Sequence, residues 1–242
     1  MKKNLLITGC SSGFGNALMK TLYKEYNIIS LSRRKPKNLK SMKVDHYSID
    51  LSDLKKLDNT LTKIVKKYKF IPFLVNNAAS FEVMKIDELT NKKIIKSFSL
   101  NSFAPVLIIK KILPQMKKKK FGRIVNITSG APINCSPNVS LYNASKAALN
   151  AFSITASKEL KKFNIKVNLF SPGQIKTEMM PMAKGDPFNS VAKLKFLLNE
   201  NKNLITGKFV WTKFIIPLMP DLKGIDWSKN KAPKKTKIIK YD

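Results

Sequence analysis

Histidine is almost missing from this chain. His46 stands alone among 242 residues, which excludes a histidine-based triad or a histidine-rich metal site, and no metal is expected. Cysteine is nearly as scarce. Cys10 and Cys135 cannot staple a small secreted fold, and they are expected as free thiols in a reducing cytoplasm. No apolar run approaches the ~20 residues of a membrane helix. The apolar stretch behind Met1-Lys2-Lys3 is also shorter than the ~7–15 residues of a secretory signal. A cytoplasmic protein with no membrane partner is therefore expected. Arginine occurs only as Arg33, Arg34 and Arg123, although basic residues outnumber acidic ones by 46 to 15 and the formal net charge is +31. Readers of base edges and phosphates lean on arginine forks. An excess that is almost all lysine, spread along the chain, reads as a solvated surface and argues against a nucleic-acid interface. The denser runs at 117–120 and 229–240 read as a helix end with its loop and as a tail.

What remains is enough for one large domain. Hydrophobic residues make up 43% of the chain, which supports a globular core. Short apolar runs at 4–7, 28–32, 44–51, 71–75, 124–128, 167–170 and 205–211 predict strands. Helical stretches at 16–26, 53–68 and 94–116, one through Tyr142 and one within 186–199 separate most of them. In the helix over 53–68, Leu54, Leu57, Leu61, Ile64 and Val65 fall on one face. This alternation predicts an α/β fold: a Rossmann-type doubly wound sheet of about seven parallel strands with helices on both faces. Residues 1–212 form that single domain, and the Pro/Lys-rich segment 213–242 is expected to be an irregular tail.

Three stretches carry chemistry. The first strand runs into Thr8-Gly9-Cys10-Ser11-Ser12-Gly13-Phe14-Gly15 and then a helix. A glycine-rich turn at a helix N-terminus lets backbone N–H groups and the helix dipole meet a pyrophosphate. The second strand ends in Ser32-Arg33-Arg34, where an acid would bind a ribose 2′-hydroxyl and an arginine suits a 2′-phosphate. NADP(H) is thus preferred, with NAD(H) as the alternative. Asp50-Leu51 closes the third strand, where the carboxylate could meet an adenine amino group. The third stretch is Tyr142-Asn143-Ala144-Ser145-Lys146. Tyr and Lys four apart on a helix share a face, and a nearby cation favours the phenolate. Ser129 lies upstream in a turn that could fold its hydroxyl beside the phenol. Such a trio suits proton transfer at an oxygen while a hydride moves at the same carbon.

From residue 4 to about 211 the chain resembles the short-chain dehydrogenase/reductase family. The Thr8–Gly15 loop is similar to its cofactor fingerprint, and Asn76-Asn77-Ala78-Ala79 to its Asn-Asn-Ala-Gly element. Asn101, Ser129, Tyr142 and Lys146 match its catalytic tetrad in order and spacing. The resemblance implies carbonyl reduction or alcohol oxidation on a small molecule. Tyr142 is then the general acid or base, and Lys146 holds the nicotinamide ribose and lowers the tyrosine pKa. Ser129 hydrogen-bonds the substrate oxygen, and Asn101 supports a water that relays protons to Lys146. Cofactor contacts carried over are Gly9, Ser11, Ser12, Gly13, Phe14, Gly15, Arg33, Arg34, Asp50, Leu51, Asn77, Ala78, Tyr142 and Lys146, with Pro172, Gly173, Ile175 and Thr177 near the nicotinamide amide. A homodimer or homotetramer is implied, pairing the Asn101 and Tyr142 helices. Ala79 departs from the family glycine, which a backbone outside the left-handed region tolerates. The Asp-Gly-Gly ending of the fatty-acid-synthesis reductases is missing. Met179, Met180, Pro181 and Met182 make a short apolar lid segment. Two other readings use the same residues. A dinucleotide-binding regulator needs the glycine loop but not Tyr142 with Lys146. A basic nucleic-acid binder would show steeply salt-dependent binding.

Overall fold

Apolar runs too short for helices become the strands, and the amphipathic stretches between them fold back as helices on both sheet faces. The computed structural model of the chain describes residues 2–37 and 39–218. In chain order the elements are β1 (Lys3–Thr8), α1 (Gly13–Leu22), β2 (Tyr26–Ser32), α2 (Leu39–Met42), β3 (Asp45–Ser48), α3 (Leu54–Tyr68) and β4 (Phe73–Asn76). They continue with α4 (Asn91–Phe98), α5 (Ala104–Lys119), β5 (Gly122–Ile127), α6 (Ala131–Asn134), α7 (Ser140–Leu160), β6 (Ile165–Ser171), α8 (Val191–Phe196), β7 (Phe209–Trp211) and β8 (Phe214–Ile216). The sheet order is β3-β2-β1-β4-β5-β6-β7-β8. Every pairing is parallel except β7 with β8.

Alternation along β1 sorts the core. Leu5 and Ile7 pack with α1, α2 and α8 on one face, through Leu18, Leu22, Met42 and Leu194. Leu6 packs with α3, α5 and α7 on the other, through Leu61, Ile64, Ile112 and Leu160. Helix α3 starts where the Asp53 carboxylate accepts from the Lys56 amide at 3.0 Å, an N-cap. The expected lysine-rich helix end is real, since α5 closes on Lys117, Lys118 and Lys119 with Lys120 in the left-handed region.

Two expectations need correction. The long helix expected over 94–116 is not one regular α-helix: between α4 and α5 the segment Ser99–Phe103 makes a π turn, and Asn101 sits in its middle. The irregular tail expected from 213 instead begins with a strand. β8 turns back antiparallel on β7 through Thr212, whose φ is 52°. The rest of that tail, including the lysines at 229–240, lies outside the described residues.

Arg123 is a buried charge, fully enclosed on β5. Its guanidinium donates to five carbonyls, those of Asn199 (2.7 Å), Gly122 (2.9 Å), Asn164 (2.8 Å), Glu200 (2.9 Å) and Asn201 (3.1 Å). Five N–H donors in a rigid fork suit this task, which a lysine could not perform. The loop after α8 is thereby pinned to the base of the sheet, opposite the end that carries the site.

Candidate active site

The loop after β1 is built around two glycines. Gly9 has φ +73°, and a Cβ there would meet the Ala78 Cα at 2.9 Å; one on Gly15 would lie 2.2 Å from the Gly9 carbonyl oxygen. Asn77 fixes this approach. Its Nδ2 donates to the Thr8 and Gly9 carbonyls at 3.0 and 3.2 Å, while the Asn77 and Ala78 amides both donate to Thr8 Oγ1 at 2.9 Å. The Asn-Asn-Ala-Ala element therefore acts by holding the glycine loop. Ala79 is absent from the residues with positive φ, so its Cβ carries no backbone strain.

One cavity of about 830 Å³ runs along the carboxyl ends of the strands. Gly9, Ser11, Ser12, Gly13 and Phe14, then Arg33, Arg34, Asp50 and Leu51, line one end of it. Asn77, Ala78, Ser129, Tyr142 and Lys146, with Pro172, Gly173, Ile175 and Thr177, line the remainder. The structure thus gathers the expected site residues into one groove, with two exceptions. Gly15 is not in the lining because it packs beneath the loop against Gly9, as its Cβ clash shows. Asn101 is fully buried behind the groove, where its Oδ1 accepts from the Ser80 amide (2.8 Å) and its Nδ2 donates to the Ser80 carbonyl (3.0 Å) and Ser145 Oγ (3.0 Å). That side chain is fully used and does not reach Lys146.

Helix α7 puts Tyr142 in its first turn and Lys146 one turn later. Lys146 is buried, its Nζ donating to the Ile127 carbonyl at 2.7 Å and lying 5.8 Å from the centre of the Tyr142 ring. Burial pushes its ammonium down from 10.5 to about 8. Burial also raises the Tyr142 phenol, against which a hydrogen bond to Ser129 pulls downward. This departs from the sequence expectation, in which Lys146 lowers the phenol. The reason is physical: low polarity disfavours both charged forms, and the ammonium is hydrogen-bonded to a carbonyl instead of the phenol. Tyr142 therefore keeps its proton at neutral pH.

Asp50 is committed locally. Burial raises its carboxyl, but the Ser52 hydroxyl (2.7 Å) and amide (2.9 Å), helped by Arg33 and Lys96, outweigh that and hold it low. Sequence reasoning missed three residues of this site. Phe81 packs edge-on against Tyr142, centroids 5.0 Å apart at 87°, and fixes the ring that carries the phenol. Trp211 also lines the cavity. Glu178 ion-pairs with Arg34 at 2.5 Å. None has a local signal, since each acts across a long stretch of chain. Of the expected lid residues, Met179 and Met180 line the cavity, while Met182 is 90% exposed and turned away.

The sequence matches the family described as short chain dehydrogenase over residues 3–186. It is 35% identical over 187 residues to TDA5, an uncharacterised oxidoreductase of Saccharomyces cerevisiae; that match covers 72% of this chain and 56% of the relative. It is 28% identical over 233 residues to the 3-oxoacyl-[acyl-carrier-protein] reductase FabG of Thermotoga maritima, covering 86% of this chain and 95% of that one. Among solved structures, ElxO with NADP bound aligns with a TM-score of 0.79 at 29% identity, covering 88% of this chain and 97% of that one.

Proposed function

We propose that this protein, which belongs to the short-chain dehydrogenase family and is an oxidoreductase, transfers a hydride between NADP(H) and an uncharged ketone or secondary alcohol. One observation carries the reading. Tyr142, Ser129 and Lys146 line the same groove as the glycine loop and the Arg33–Arg34 pair. The fit to a dinucleotide rests on the loop itself, where the close packing of Gly9 and Gly15 keeps backbone donors clear of side chains.

When bound, the nicotinamide supplies or accepts the hydride. The chain's own residues do the rest. Tyr142 gives its proton to the substrate oxygen as negative charge develops there, or takes it in the reverse direction. Ser129, hydrogen-bonded to the phenol in the free protein, turns its one hydroxyl proton to the same oxygen when substrate is bound. Lys146 stands one helix turn below as donor to the cofactor ribose. Any service by Asn101 to Lys146 falls to its main-chain carbonyl in the π turn, because its side chain is tied to Ser80 and Ser145. Arg33 and Arg34 read the 2′-phosphate. The same reading takes the protein as cytoplasmic and as a homodimer or homotetramer; the pairing of copies is supported by Ile95, Phe103, Ala144, Ala148 and Ala151 exposed on α4, α7 and the π turn.

The substrate class follows from charge. Basic residues crowd this chain, yet beyond Tyr142 the cavity is lined by Phe81, Val83, Val139, Met179, Met180 and Trp211 with neutral polar groups. Its charged lining residues are engaged elsewhere: Arg33, Arg34 and Asp50 at the far end, Glu178 on Arg34, and Lys146 on the Ile127 carbonyl. An unpaired carboxylate in such a wall costs several kcal/mol. A matched pair tests this: ethyl 3-oxobutanoate should be reduced with a kcat/KM at least ~100-fold above that of 3-oxobutanoate, about 3 kcal/mol of discrimination. Equal rates for ester and acid would overturn the uncharged-substrate reading.

A further inference from the structure

We propose that Glu178 sets the discrimination between the two cofactors by competing with the 2′-phosphate for Arg34, an inference that rests on the function proposed above. Glu178 lies in the turn Thr177–Met180, which is closed by backbone bonds of 3.3 and 3.1 Å between its end residues and by the Met180 amide on Thr177 Oγ1 at 3.1 Å. Its Oε2 accepts from Arg34 Nη2 at 2.5 Å, and that same nitrogen donates to Ser12 Oγ at 3.3 Å. Three separate stretches meet there: the loop before α1, the end of β2 and the turn after β6. All three residues line the cavity.

A guanidinium nitrogen beside a serine hydroxyl at a helix start is the donor set that binds a phosphate, and a carboxylate is the alternative partner for the same fork. Both cannot stay. A phosphate arriving at Arg34 would place its charge within contact distance of the Glu178 carboxylate, so one anion displaces the other. NADPH therefore binds at the cost of the Glu178–Arg34 pair. NADH carries a hydroxyl at that position and leaves the pair, and the turn it holds, in place.

Carboxylates are scarce here, 15 against 46 basic groups, and one of them stands at the mouth of this groove on one of only three arginines. Arg34 beside it holds the Glu178 carboxyl below the usual range, so it remains charged at neutral pH and competes fully. The pair is solvent-exposed, side chains 65% and 64% accessible, which limits its effect to the modest scale of surface ion pairs.

Isothermal titration with adenosine 2′,5′-bisphosphate, NADPH and NADH tests the idea on the full chain. Glu178→Gln keeps the shape and removes the charge. The bisphosphate and NADPH should each bind about fivefold tighter to the variant, with NADH unchanged within about twofold. The gap between variant and wild type should shrink in high salt. Unchanged or weaker NADPH binding to Glu178→Gln, with Arg34→Ala still weakening NADPH, overturns this inference alone. Arg34→Ala without effect on NADPH overturns the arginine reading and this inference with it. Thermal melting of both variants shows that the changes are not losses of fold.

Discussion

Tyr142→Phe should lower turnover by about 10²–10⁴-fold, the usual contribution of a positioned general acid, while the affinity for NADPH stays within about twofold of wild type. The substitution removes one hydroxyl and keeps the ring, so the edge-on contact with Phe81 survives. Nothing in the glycine loop or at the arginines depends on that oxygen. A loss confined to kcat is the mark of a group that acts in the transition state and not in binding. The measurement is steady-state reduction of ethyl 3-oxobutanoate beside a binding titration. Turnover within tenfold of wild type would remove the tyrosine from the mechanism.

Lys146→Met should abolish turnover and yet raise stability at neutral pH. Burial takes the ammonium from 10.5 to about 8. An unfolded lysine holds its proton up to the higher value, the folded one only up to the lower. Between about pH 8 and 10.5 unfolding therefore takes up a proton, so stability rises with pH across that window. Below it the buried cation costs the fold about 3 kcal/mol. Methionine removes that cost but leaves the Ile127 carbonyl without its partner, a loss of about 1 kcal/mol. A net gain of about 2 kcal/mol corresponds to roughly 4–8 °C in Tm for a domain of this size. The many surface lysines titrate equally in both proteins, so the difference in Tm isolates residue 146. That difference should be largest below pH 8 and close, then reverse, by about pH 10.5. A variant that melts lower than wild type at pH 7, by an amount independent of pH, would show that the ammonium is not destabilised by burial. The confirmed pattern would make this lysine a site where activity is kept at the expense of stability.

The residues that were readable in the sequence are those whose signal is local. Leu5-Leu6-Ile7 followed by spaced glycines marks both a strand and what comes next. The spacing of Leu57, Leu61 and Ile64 gives the buried face of α3 directly. Boundaries were harder. Helix α1 begins at Gly13, inside the glycine-rich stretch, because Gly15 packs its first turn against the Gly9 carbonyl while Gly13, at φ +54°, faces the Thr177 side chain. The β7–β8 hairpin lacked any Asn-Gly or Asp-Gly signal, since Thr212 takes the positive φ at its turn. The π turn at Asn101 has no compositional mark at all. Long-range partners were invisible for a simpler reason. Arg123 finds the carbonyls of 199–201, and Arg34 finds Glu178 a further 144 residues along. Pairing of that kind is decided by the assembled sheet, which brings the ends of β2 and β6 to one rim and sets Arg123, near the start of β5, at the other.

The most direct measurement is a parallel titration of the purified protein with NADPH and NADH, read by energy transfer from Trp211 in the cavity wall to the reduced nicotinamide. With Arg33 and Arg34, and no acid, in the sequence that closes β2, NADPH should bind at least about tenfold tighter than NADH, a charge-assisted contact of about 1.5–3 kcal/mol. NADH binding as tightly as NADPH, or more so, would contradict the account.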